Sequence, residues 1–113
     1  MMVRIVWGNI RPGHWPAFKA AYKKACDMSA NTPGMKGRWL SHDRFDENAF
    51  YSVTIWETEQ HMLDYASSPL VRETLFPMVD EHFTGTYSMD VADVEFMDHF
   101  GSFVPPSGEK KAA

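Results

Sequence analysis

The chain has 113 residues, a net charge of −4, 44% apolar residues and 23% charged residues. That is the size of one domain and the composition of an ordinary soluble globular protein. The acidic balance argues against a nucleic-acid backbone as partner, and no apolar run approaches the roughly 20 residues that span a bilayer.

Val3 to Ile10 is a short apolar run ended by Arg11-Pro12-Gly13, which predicts a strand and a turn. From His14 the period changes. Trp15, Phe18, Tyr22, Ala25, Cys26 and Ser29 recur at helical spacing, with Lys19, Lys23 and Lys24 opposite, and Pro16 suits the first turn. The breaker cluster Asn31-Thr32-Pro33-Gly34 ends this helix. Met35 to His42 predicts a second strand in which Gly37 marks a bulge or close approach. Asp43 to Asn48 is a polar turn, so the next strand returns antiparallel as a hairpin.

That third strand, Phe50 to Trp56, alternates Phe50, Ser52, Thr54 and Trp56 on one side with Tyr51, Val53 and Ile55 on the other. Both sides are bulky, so both faces are expected to be covered. Thr58 then caps a helix holding Met62, Leu63, Tyr65 and Ala66. Ser68 and Pro69 restart it, Pro77 is expected to kink or split it, and Gly85 to end it. Tyr87 to Phe96 reads as the last strand. Residues 1–98 read as one domain and 99–113 as a flexible tail.

The resulting order, βαββαβ, predicts an α+β ferredoxin-like fold: a four-stranded antiparallel sheet with its helices on one face. Each strand carries bulky residues on both faces, Trp7 with Val6, Trp39 with Leu40 and Trp56 with Ile55, so the uncovered face would be a large apolar patch, which a second copy of the chain is expected to cover as a homodimer. Eight Met and sixteen aromatics (8 Phe, 4 Tyr, 4 Trp) suit either a soft interior open to a flat ligand or simply a core and an interface.

Four stretches resemble the antibiotic-biosynthesis-monooxygenase-like family of dimeric α+β barrels. They are Arg11-Pro12-Gly13-His14, Thr32-Pro33-Gly34-Met35, Val53-Thr54-Ile55-Trp56-Glu57 with Glu59-Gln60, and Ser67-Ser68-Pro69. The resemblance spans about residues 2–97. It implies a dimeric barrel with a pocket between sheet and helices. In some members that pocket performs oxygenation of phenol- or quinol-type aromatics without metal or flavin. Trp56 matches the pocket-lining Trp at the strand end. Ser52 and Met62 depart from the anthrone-oxidising members, which carry an amide and a Tyr there, and Thr74 replaces the iron-ligating His of the haem-degrading branch.

The function expected from this resemblance is a cofactor-independent monooxygenase of a flat aromatic. The alternative is a non-catalytic small-molecule-binding or stress-response dimer. His42, beside Asp43, and Tyr65 are candidate catalytic groups; Trp56, Ser52, Asn9 and His82 are candidate substrate contacts. For each there is a bland alternative as a core, turn or surface residue. No histidine spacing, phosphate loop or nucleophile elbow points to a metal or nucleotide, so no cofactor is expected. The lone Cys26 and the absence of a leader-like start lead to a cytoplasmic expectation.

Overall fold

The computed structural model describes residues 1–98, and the tail read at 99–113 lies outside them. The elements are β1 (Met2–Ile10), α1 (Trp15–Met28), β2 (Met35–His42), β3 (Ala49–Trp56), α2 (Glu59–Ala66), α3 (Phe76–Asp80) and β4 (Phe83–Asp93), with a π-helical turn at Val71–Leu75 leading into α3. The strands order as β2-β3-β1-β4, and every neighbouring pair is antiparallel. This is the ferredoxin-like α+β fold. No helix among the described residues is long and apolar enough to cross a membrane.

Local chemistry sets most boundaries. Pro16 lies in the first turn of α1, where its missing N–H costs nothing. The helix stops at Met28, short of the breaker cluster, because its last carbonyls are taken by other donors: Ser29 N–H and Arg38 Nη2 on Cys26 O, and Ser29 Oγ on Ala25 O. Gly37 sits where the β2–β3 register slips, between Met35 and Gly37. In the hairpin turn the Asp43 carboxylate accepts the Phe45 and Asp46 N–H groups. Thr58 Oγ1 accepts the His61 N–H and so caps α2, while Ser68 Oγ accepts the Val71 N–H at the helical restart.

Three expectations meet a different outcome. Of the kink or split expected at Pro77, the split is absent, and the irregularity lies in the turn before it. The Phe76 N–H reaches back five residues to Val71 O, and this wider turn leaves Pro77 in the first turn of α3, where no donor is needed. Gly85 does not end the helix either. Helix α3 stops at Asp80 and β4 has already begun at Phe83; Gly85 (φ +71°) lies inside that strand. There β4 bulges against β1, whose pairing jumps from Trp7–Ser88 to Asn9–Thr84. The strand accordingly ends at Asp93 rather than Phe96.

The core is Ile10, Phe18, Phe50 and Phe83, with Val6, Trp15, Tyr22, Leu40, Phe76 and Val79 packed on it. Phe50 lies 5.1 Å from both Phe18 and Phe83, ring centre to ring centre, so aromatic packing locks α1 to β3 and β4. The other side of the sheet carries Trp7, Trp39 and Tyr51 at 42%, 38% and 37% exposure. Those values describe a broad apolar face with no helix over it.

Candidate functional site

Strand register builds the floor of a cavity. Thr54 on β3 pairs with Arg4 on β1 and with Arg38 on β2, so the three stand in one row across the helix-facing side of the sheet. The next row is Leu40, Ser52 and Val6; beyond it lie Phe50 and Gly8. Phe18 and Tyr22 of α1, Met62 and Tyr65 of α2, Leu75, and Phe76 and Val79 of α3 close over these rows. The space, open to solvent on one side, is about 440 Å³, within the range of roughly 300–1,000 Å³ usual for small-molecule sites. Its walls are apolar and aromatic at the Phe18–Phe50–Phe83 end and polar at the Arg38–Thr54–Arg4 end.

The polar groups hold each other in place. Trp56, 1% exposed, donates Nε1–H to Thr54 Oγ1 at 2.8 Å, and its ring lies 5.4 Å from that of Tyr65. The Tyr22 hydroxyl and Ser52 Oγ share a hydrogen bond of 2.8 Å. Burial pushes Tyr22 up to about 12, against a smaller lowering by that bond, so its hydroxyl stays protonated. Tyr65 donates to Ser29 Oγ at 3.5 Å, and Arg38 Nη1 donates to the same oxygen at 2.8 Å. Arg4 reaches Met89 Sδ through Nε at 3.1 Å. Burial pulls its guanidinium below the ordinary value, and the hydroxyls of Tyr87, Tyr65 and Tyr22 act weakly the other way. The cavity is lined by no carboxylate and no imidazole. Among the described residues, no group of three His, Cys, Asp or Glu side chains could hold a metal ion.

The sequence profile of the antibiotic biosynthesis monooxygenase family matches residues 1–75, from β1 through the π-helical turn. The chain belongs to this family. Solved structures agree on the fold. A candidate antibiotic biosynthesis monooxygenase from Bordetella bronchiseptica superposes with a TM-score of 0.75 at 21% identity, over 84% of this chain and 97% of that one. One from Deinococcus radiodurans gives 0.76 at 12% identity, over 89% and 100%. SnoaB, a cofactor-independent oxygenase from Streptomyces nogalater, gives 0.74 at 10% identity, over 85% and 94%. No curated protein matches the chain in sequence.

In this family member, three of the six side chains singled out from the sequence meet in the cavity: Ser52, Trp56 and Tyr65. The other three lie outside it. Asn9 is exposed, and strand alternation puts it on the far side of the sheet with Trp7. His42 stacks on Trp15 at 3.7 Å outside the cavity, and its Nε2 bonds Glu47 O at 2.7 Å rather than the neighbouring carboxylate. Asp43 is occupied by the turn N–H groups and by the Tyr51 hydroxyl. His82 is buried, but it faces His14, with the two Nδ1 atoms 3.2 Å apart, on the other side of Phe18 from the cavity.

Tyr22, Arg4, Arg38 and Thr54 were missed as site residues. The alternation of β1 carried a usable signal: Arg4 shares the parity of Val6, so once the face of Val6 is known to be covered, a charge lies on it too. Tyr22 is indistinguishable from a core residue by spacing alone.

Proposed function

We propose that this protein is a cofactor-independent monooxygenase that takes a flat phenol- or quinol-type aromatic into the space between sheet and helices. The observation that carries the reading is the cavity itself: aromatic walls lined also by the hydrogen-bonded Tyr22–Ser52 pair and by Tyr65. Oxygen is inert toward closed-shell molecules but accepts an electron from an ionised, electron-rich aromatic. An activated ring methylene then becomes a carbonyl: two C–H bonds break, one oxygen atom of O2 stays on carbon, and the other leaves as water. The substrate supplies all four electrons, so the balance needs no external reductant. Tyr65 and the Tyr22–Ser52 pair donate hydrogen bonds to the oxyanion, and Trp56 forms the wall that keeps the ring flat and water out. Because no carboxylate or imidazole lines the cavity, the substrate in this reading is acidic enough to ionise with little help from a side-chain base.

That same lack of a carboxylate or imidazole favours a second reading, a non-catalytic small-molecule-binding protein. Oxygen uptake separates the two. Under the first reading, metal-stripped protein accelerates uptake with at least one member of a panel of anthrones and quinols, and Tyr65→Phe or Trp56→Phe slows it at least about tenfold, the scale of losing a positioned donor or wall. Uptake equal to the protein-free control across the panel, with melting shifts from the same compounds, selects the second.

The working unit in this reading is a cytoplasmic homodimer. Its support is the uncovered sheet face of Trp7, Trp39 and Tyr51, too large and apolar to face water alone, together with the single cysteine.

A further inference from the structure

We propose that the ligand of this cavity is anionic at one end, an aromatic carboxylate or equivalent acid whose charge is held between Arg4 and Arg38 while its rings lie toward Phe50. The inference rests on the reading that the cavity binds a flat aromatic, and it specifies the class.

Three arginines, Arg4, Arg38 and Arg72, line the space in a protein whose net charge is −4, and no acidic side chain lines it with them. The ion pairs formed among the described residues are Lys36 with Glu57 and His82 with Glu81; none involves an arginine. Arg72 is exposed, whereas Arg4 and Arg38 are half-buried, and a guanidinium partly withdrawn from water normally sits against a carboxylate. Arg38 has partial compensation at the C-terminus of α1, from Cys26 O at 3.0 Å and Ser29 Oγ at 2.8 Å. Arg4 has less: its Nε meets the weak acceptor Met89 Sδ. The drop in its proton affinity on burial reports the same deficit.

Register then fixes where the missing anion belongs. Arg4 and Arg38 flank Thr54 on adjacent strands, so their Cα atoms stand about 10 Å apart, two strand spacings. Their guanidinium groups lean to opposite sides, Arg38 toward Ser29 and Cys26 of α1 and Arg4 toward Met89 of β4, which leaves the space over Thr54 between two cations. A carboxylate between them relieves both, with the Thr54 hydroxyl beneath it. The opposite end of the floor is Phe50 against Phe18 and Phe83, shaped for ring faces. One end is cationic and one aromatic, which is the complement of an aromatic acid.

The test uses the full chain, the intrinsic tryptophan fluorescence and two probes of one shape, anthracene carboxylate and anthracene carboxamide. The expected result is that the carboxylate binds at least about tenfold more tightly at low salt, a difference of about 1.4 kcal/mol. Arg4→Met removes that preference while still binding the carboxamide, which also shows that the variant is folded, and Arg4→Lys restores part of it. Equal binding of the two probes by the wild type overturns the anionic class and leaves the cavity reading standing. A preference that survives Arg4→Met unchanged overturns the assignment of the charge to this row. Binding of neither probe overturns the inference too, and the oxygen-uptake assay then decides the monooxygenase reading separately.

Discussion

At the scale of single residues, the cavity depends on hydroxyl groups that must keep their protons. Tyr22 is the clearest case. Its folded-state value lies above the ordinary 10.0, at about 12, because a buried phenolate has no cation against it strong enough to offset desolvation. A raised folded-state value means that the contribution is complete below 10 and is lost as pH rises toward 12. Over that window denaturant melts of the wild type should lose on the order of 2–3 kcal/mol more than those of Tyr22→Phe. Parallel curves for the two proteins would show that Tyr22 is not desolvated. Thr54 makes a second prediction. Its Oγ1 is the acceptor for the fully buried Trp56 N–H, so Thr54→Val should cost about 1–3 kcal/mol by stranding that donor. Thr54→Ser, which keeps an oxygen there, should cost much less in the same melts.

Among the elements, the joint between α1 and β2 constrains the fold most tightly. Gly34 adopts φ +77°, and a Cβ built on it would collide with the His61 ring from α2. Its carbonyl also accepts the Glu57 N–H at 2.7 Å, tying the start of β2 to the end of β3. Gly34→Ala should therefore destabilise by at least about 2 kcal/mol, part from the left-handed backbone and part from overlap. Adding His61→Ala should return only the overlap part. Full recovery in the double variant would mean that the backbone conformation carries no cost. The π-helical turn before Pro77 works at the same scale: one widened turn lets the helical run 69–80 keep Leu75, Phe76 and Val79 over the cavity.

For the whole molecule, the sheet has one face under helices and one carrying Trp7, Trp39 and Tyr51. The homodimer proposed from that face predicts a light-scattering mass of twice the 13.0 kDa chain. Val53→Asp, a buried charge in the middle of the proposed interface, should shift the protein to monomer. A wild-type monomer at micromolar concentration would leave the exposed tryptophans unexplained and remove the dimer from the proposal.

The sequence by itself determined the βαββαβ order, the hairpin, the caps at Thr58 and Ser68 and the shared side of Ser52 and Trp56 on their strand, while the structure decided that this side faces the helices. Each of these is a local or periodic property, readable from neighbours two to four residues away. Gly85 was misread, and the form of the irregularity at Pro77 was not foreseen, because both depend on partners outside that window: β1 across a bulge, and a hydrogen bond re-spaced to five residues. The candidate site divides the same way. His42 beside Asp43 looked like a pair, but the turn took the carboxylate and Trp15 took the ring. Only the tertiary structure set Arg4, Thr54 and Arg38 in one row, because register between strands far apart in the chain is decided by the packing of the sheet as a whole.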